Sequence, residues 1–110
     1  MSKYRKVVAF AGGVGGAKLA TGLNSYLEEG SLSVVVNTAD DFTLHGLHIS
    51  PDVDTVMYNL AGISDPKQGW GIKNDTNEAL KILDLYGGAS WFKLGDKDIA
   101  THIRSTQRQN

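Results

Sequence analysis

Apolar residues fall along this chain in short β-branched runs that alternate with stretches of helical spacing. The run KVVAFA at 6–11, cut off by glycine, predicts a buried strand. Over 17–29, Leu19, Ala20, Leu23, Tyr26 and Leu27 recur at helical intervals, with Gly30 as the expected C-cap. A second β-branched run follows at 32–37. Strand, helix and strand in this compass predict a βαβ unit with two parallel strands. Asp54 or Thr55 is placed to cap a helix reaching about Ala61, and 65–73 reads as loop. Asp75 with Glu78 three residues on has the pattern of a capping box, opening a helix that closes at Gly87. Residues 90–94 predict a third strand. The last stretch, 97–110, has helical periodicity with Ile99, Ile103 and Thr106 on one side.

The alternation predicts an α/β, Rossmann-like three-layer fold with a mainly parallel sheet. In such sheets ligands bind beyond the carboxyl ends of the strands. The glycine turn at 12–16, the aspartate-rich segment after the second strand and the segment 93–98 all fall at such ends. The final helical pattern runs out without a capping signal, so the chain reads as a fragment rather than a complete domain.

Composition narrows the function classes. A formal net charge of −1 with scattered basic residues points away from nucleic-acid and membrane-surface partners. The chain has no cysteine, which excludes disulfides and zinc–thiolate sites and fits a cytoplasmic protein. The opening MSKYRKVVAFAGGVGG is neither a signal peptide nor a membrane span.

The chemistry concentrates in two neighbouring segments. Gly12, Gly13, Gly15 and Gly16 sit where the first strand turns into a helix, and backbone amides there attract phosphate. The match to standard patterns is partial. Lys18 stands at the last glycine of G-x-G-x-x-G, while a P-loop reading meets Ala17 and Leu19 at required glycine and hydroxyl positions. The competing reading is a tight turn with close helix–strand packing. Downstream, Asp40, Asp41, Asp52 and Asp54 lie within 15 positions of one another. Carboxylates so dense repel unless a cation is shared among them. If 52–54 is extended, Asp52 and Asp54 point to one side and hold Mg²⁺ beside a diphosphate, with Asp40 completing the set. The plainer readings are a helix cap for Asp54 and a solvated turn for Asp40 and Asp41. His45 and His48 lie in what reads as loop, His48 being a candidate ligand contact. Trp70, Trp91 and Phe92 could stack on a flat ring or simply pack. Lys93 is a candidate anion contact, with an ion pair to Asp96 or Asp98 as the structural alternative.

Four blocks carry a family resemblance. AGGVGGAKLATGL, VVVNTADDFTLHGLHISPDVDTVMYNLAG, GWGIKNDT and WFKLGDKDIATHI together resemble the 2-phospho-L-lactate transferases of deazaflavin coenzyme biosynthesis, whose bacterial members act as phosphoenolpyruvate transferases. The resemblance covers nearly the whole chain in order, and it implies a single transferase domain about three times longer, of which residues 1–110 are the N-terminal portion. It implies a Mg²⁺-dependent transfer in which the ribityl hydroxyl of a deazaflavin precursor attacks a guanosine diphosphate conjugate of lactate or enolpyruvate, and GMP leaves. It further implies acceptor binding at Asp54 and Lys93, with Asp41 and His48 as further substrate contacts. Metal binding is implied at Asp40 with Asp52 or Asp54, and the full-length form is expected to be a homodimer. A non-catalytic nucleotide-sugar-binding regulator with a similar glycine turn and aspartate pair is the alternative.

Overall fold

The computed structural model describes residues 6–109. Strands β1 (Val7–Ala11) and β2 (Leu32–Val36) pair in parallel, from Val7 beside Leu32 to Ala11 beside Val36. Helix α1 (Gly13–Tyr26) joins them, so the expected βαβ unit is present. It packs with α2 (Pro51–Leu60) on one face of the pair. Ala11, Ala17, Ala20 and Val56 form the core there, with Val34, Val36 and Leu60 against them. The residues at the α1–β1 contact are small, so the helix approaches the strand closely. The opposite face is apolar but open, with Phe10 79% exposed and Val8 59% exposed.

α1 begins at Gly13, ahead of the expected start at Ala17, so the glycine run forms its first turn rather than a loop before it. Gly13 has φ +67°, a left-handed conformation suited to glycine. A Cβ at Gly16 would lie 2.7 Å from the Ala11 Cβ and 2.8 Å from its Cα, whereas one at Gly15 would meet nothing within 4 Å. Gly16 is therefore a packing glycine. Gly16→Ala is expected to cost about 1–3 kcal/mol of stability through overpacking, while Gly15→Ala gains up to about 1 kcal/mol from helix propensity. Urea melts of the two variants check this, and equal midpoints would contradict it. The helix ends at Tyr26 with Leu27 as C-cap, so Gly30 belongs to the following turn instead.

The segment read as loop around His45 and His48 is a hairpin. β3 (Phe42–Leu44) and β4 (Leu47–Ile49) pair antiparallel across His45 and Gly46, both at positive φ (55° and 73°), as in tight hairpin turns. α2 then starts at Pro51 with Ser50 at the N-cap, placing Asp52 and Asp54 inside its first turn. Asp54 is thus not a cap, and its amide donates to the Ser50 carbonyl.

The sheet is smaller than expected. Among the described residues the strands form one parallel and one antiparallel pair, and 90–94 is irregular. Its aromatic residues are held by packing instead. Phe92 meets Phe42 edge-on at 5.1 Å, Trp91 lies 5.5 Å from the same ring, and Leu94 is buried.

The last two helices cap each other. α3 (Glu78–Leu85) follows Asn77, and the expected capping box does not form. Asp96 accepts from the amides of Glu78 and Ala79 instead, and from the Thr76 hydroxyl. These bonds, the Thr76 hydroxyl foremost, hold the Asp96 carboxyl below its usual value. Asp75 in return accepts from the amides of Lys97 and Asp98 at the start of α4 (Asp96–Gln109). A Cβ at Gly95 would overlap the Asp75 carboxylate, so glycine there lets the two helix starts meet. The buried side of α4 centres on His102, whereas Ile103, expected on the apolar side, is 44% exposed.

Candidate functional site

A cavity of about 440 Å³ opens between the start of α1, the first turns of α2 and the irregular segment before α4. Its wall includes Gly13, Asp52, Asp54, Tyr58, Trp70, Trp91, Phe92, Lys93, Asp98 and His102. One end is aromatic and the other acidic. The Lys93 ammonium lies over the Trp70 ring, 5.5 Å from its centre, so it is held by that face rather than by an ion pair with Asp96 or Asp98.

The acidic end is built by two helices facing each other. Asp54 and Tyr58 are one turn apart on α2, and Asp98 and His102 one turn apart on α4. The Tyr58 hydroxyl donates to Asp98 Oδ1. His102 Nε2 lies 3.0 Å from Asp98 Oδ2, and Nδ1 lies 3.5 Å from Asp54 Oδ2. The His102 side chain is 2% exposed and that of Asp54 is 8% exposed. Neither His102 Nδ1 nor Asp54 Oδ1 has a hydrogen-bond partner. Burial pushes the Asp54 carboxyl up to about 6, opposed by the His102 charge and reinforced by Asp98. Burial opposes ionisation of Asp98 too, but its bonds from His102 and Tyr58 win and leave it below the usual carboxylate range. Burial disfavours charge on His102, yet the hydrogen bond and charge of Asp98, with Asp54 adding, raise it overall. Burial, followed by the bond to Asp98, pushes the Tyr58 hydroxyl well up, so it stays a donor.

The residues singled out from sequence separate into groups. Asp54, Lys93, Asp52 and Gly13 share the cavity wall. Asp52 and Asp54 do not point to one side, because residues two apart on a helix diverge by about 200°. Asp52 accepts from the Asn37 amide at 3.1 Å, and its oxygens lie 3.8 Å and 3.6 Å from where Cβ atoms at Gly12 and Gly13 would stand. The positive end of α1 thus already faces a carboxylate. Asp40 is exposed in the turn after β2. Among the described residues, the one group of three or more side chains spaced to hold a metal is Asp54, Asp98 and His102, and it includes neither Asp40 nor Asp52.

Asp41 and His48 lie outside the cavity wall, in a network of their own. Ser50 Oγ donates to Asp41 Oδ2 at 2.8 Å, and His48 Nε2 is 3.2 Å from the same oxygen. Ser50 Oγ also lies 3.0 Å from His48 Nε2, but that same ring nitrogen is the one near Asp41, so the histidine does not relay between serine and aspartate as a nucleophilic triad requires. His45 bonds the Ala89 carbonyl at 2.9 Å and ties the hairpin to the segment before Trp91. Tyr58, Asp98 and His102 were not singled out from sequence as site residues. Their signal was the spacing: an acidic residue four before a tyrosine on one helix, and four before a histidine on another.

Residues 7–108 match the family described as 2-phospho-L-lactate transferase CofD. The chain belongs to this family. It is 46% identical over 103 residues to a phosphoenolpyruvate transferase of Streptomyces griseus, a match covering 93% of this chain and 32% of the relative. To the phosphoenolpyruvate transferase of Mycobacterium tuberculosis it is 44% identical over 116 aligned positions, covering 93% of this chain and 35% of the relative. The chain thus spans about a third of the length of the curated relatives it matches. The CofD match runs from β1 to the last turns of α4, so both helices that build the acidic end lie inside it. Among the described residues no helix is long and apolar enough to cross a membrane.

Proposed function

We propose that this chain forms the acceptor side of a cytoplasmic transferase, homodimeric at full length. It moves an enolpyruvyl-phosphoryl group, or its 2-phospholactyl counterpart, from a guanosine diphosphate conjugate to the ribityl hydroxyl of a deazaflavin precursor. The observation that carries the reading is the meeting of Asp54 and Lys93, from separate elements, on one cavity with a wall of Trp70, Trp91 and Phe92. A flat ring suits that wall, and a polyol reaching from the ring suits the acidic end. The names of the relatives favour the enolpyruvyl donor.

In the step, the ribityl oxygen bonds to the phosphorus that bears enolpyruvate. The bond from that phosphorus to the GMP oxygen breaks, and GMP leaves with the electron pair. The hydroxyl proton passes to Asp54, whose carboxyl, near 6, suits a base at neutral pH. Lys93 brings positive charge to the same cavity. The donor phosphates are assigned to the start of α1, where a Cβ at Gly15 would meet nothing within 4 Å; because Asp52 already faces that helix end, their approach requires a cation that screens its carboxylate. Asp40, Asp52 and Asp54 do not fit Mg²⁺ as one set, since their oxygens do not converge. No step is assigned to an ion held by that set.

Acceptor binding followed by deazaflavin fluorescence tests the reading. Saturable binding to the chain is expected, and Lys93→Met is expected to weaken it by about 10–100-fold, the worth of one charge-assisted contact. With guanylated donor and a divalent cation, the enzyme carrying these residues should release GMP and form a phosphodiester visible by mass spectrometry. Binding of a UDP-sugar with no affinity for the deazaflavin would overturn the reading in favour of a regulator.

A further inference from the structure

We infer that His45, in the turn of the β3–β4 hairpin, is a positioning residue that fixes the segment carrying Trp91, Phe92 and Lys93 on the cavity. That segment has no framework of its own. It follows Gly87, at φ +78°, and Gly88. Among the described residues, no hydrogen bond between backbone groups involves residues 89–94. Leu94 is buried and anchors the far end, whereas Trp91 is 71% exposed and burial does not hold it. Side chains must therefore supply what a ladder of backbone bonds supplies elsewhere. The Ser90 hydroxyl donates to Asp84 Oδ1 at 2.9 Å and ties the segment to the end of α3. The hairpin does the rest. Phe42 packs on the rings of Trp91 and Phe92, and His45 Nε2 donates to the Ala89 carbonyl at 2.9 Å. Ring packing alone lets an exposed indole slide, since it is weakly directional. A directed bond two residues earlier, from the same hairpin, removes that freedom.

The backbone of His45 points the same way. It stands at φ +55°, followed by Gly46 at φ +73°. Glycine would serve both turn positions without steric cost. What histidine adds over glycine is its side chain, and the hydrogen bond that side chain makes is the one to Ala89. That the positioned rings receive a flat acceptor rests on the transferase reading; the tether itself does not.

The test reads the Trp91 indole by ¹⁵N relaxation in the ligand-free chain, then the affinity for the deazaflavin precursor by fluorescence. His45→Gly removes the donor and relaxes the turn, so its urea midpoint should stay near wild type. Its Trp91 order parameter should nevertheless fall from about 0.8 to below about 0.6, with acceptor binding weakened about 3–10-fold. His45→Gln places an amide donor near the position of Nε2 but strains the turn. It should melt earlier than wild type yet keep the Trp91 order and bind within about twofold of wild type. Unchanged Trp91 order in His45→Gly would overturn the assignment, and so would equal loss of order in both variants. A wild-type chain that binds no deazaflavin would count against the transferase reading, while the relaxation result still decides the tether.

Discussion

Asp54→Asn is expected to make the ion-free fold more stable above pH 6 while cutting group transfer by about 10²–10⁴-fold, the usual contribution of a positioned acid–base group. The two effects share a cause. Asp54 is buried beside Asp98, with one oxygen unpartnered, so its charged form is poorly supported by the fold. Burial pushes its carboxyl up to about 6, against about 3.9 in an unfolded chain. The folded state therefore binds the proton more tightly than the unfolded one. The stability tied to that proton is fully present below pH 4 and is lost as pH rises through 6. A neutral amide escapes the loss, which gives the variant an advantage of about 1–3 kcal/mol at pH 8, discounted for partial solvent screening. Below pH 4 the advantage should vanish. Urea melts in EDTA at both pH values, read beside GMP release, check the pair of effects. A variant less stable at pH 8, or as active as wild type, would remove Asp54 from the role given to it.

How much of this was legible before folding depends on the range of the interactions involved. The βαβ unit was readable because its strands are apolar runs and its helix is paced by leucines and alanines, all local signals. The hairpin was not. Its strands have three residues each, and its turn uses His45 at positive φ, which few non-glycine residues adopt. The strand expected at 90–94 failed because aromatic side chains there are satisfied by Phe42, a contact 50 residues back along the chain for Phe92. Capping misled in the same way. Asp75 has the local pattern of a cap for α3, but it caps α4 while Asp96 returns the bond.

In the site, the segment around Asp52 and Asp54 is helical and not extended. Ser50 followed by Pro51 is a local sign of a helix start, and it turns the two carboxylates apart. Asp52 goes to the Asn37 amide and the glycine turn, Asp54 to His102. The glycines divide too. Gly16 answers to packing on Ala11, Gly13 to backbone conformation, and a Cβ at Gly15 would meet nothing within 4 Å. Asp98 and His102 lay inside a recognised block, yet their role needed α4 to be set against α2.

Removing Asp98 should have the largest effect on stability of any single change in the cavity. Its side chain is 13% exposed, and its two oxygens hold Tyr58 and His102, themselves both buried. Asp98→Ala leaves a buried hydroxyl and a buried imidazole without their acceptor, beside an Asp54 carboxylate whose partner has become less readily charged. Breaking such a set by deleting one member costs about 3–5 kcal/mol. For a domain of this size that lowers the melting temperature by roughly 12 °C or more. Asp98→Asn is expected to be far milder, near 1 kcal/mol. Its amide oxygen can accept from His102 Nε2, and its NH₂ can donate to the Tyr58 oxygen, so both neighbours keep a hydrogen bond while the charge and the acceptor for the Tyr58 proton are lost. The ordering discriminates between hydrogen bonding and charge as the source of stability. If Asn melts with Ala, the anionic charge facing His102 is what holds α2 to α4. If Asn melts near wild type, the hydrogen bonds are, and the helix pair stays in place to present Asp54 and His102 to the cavity.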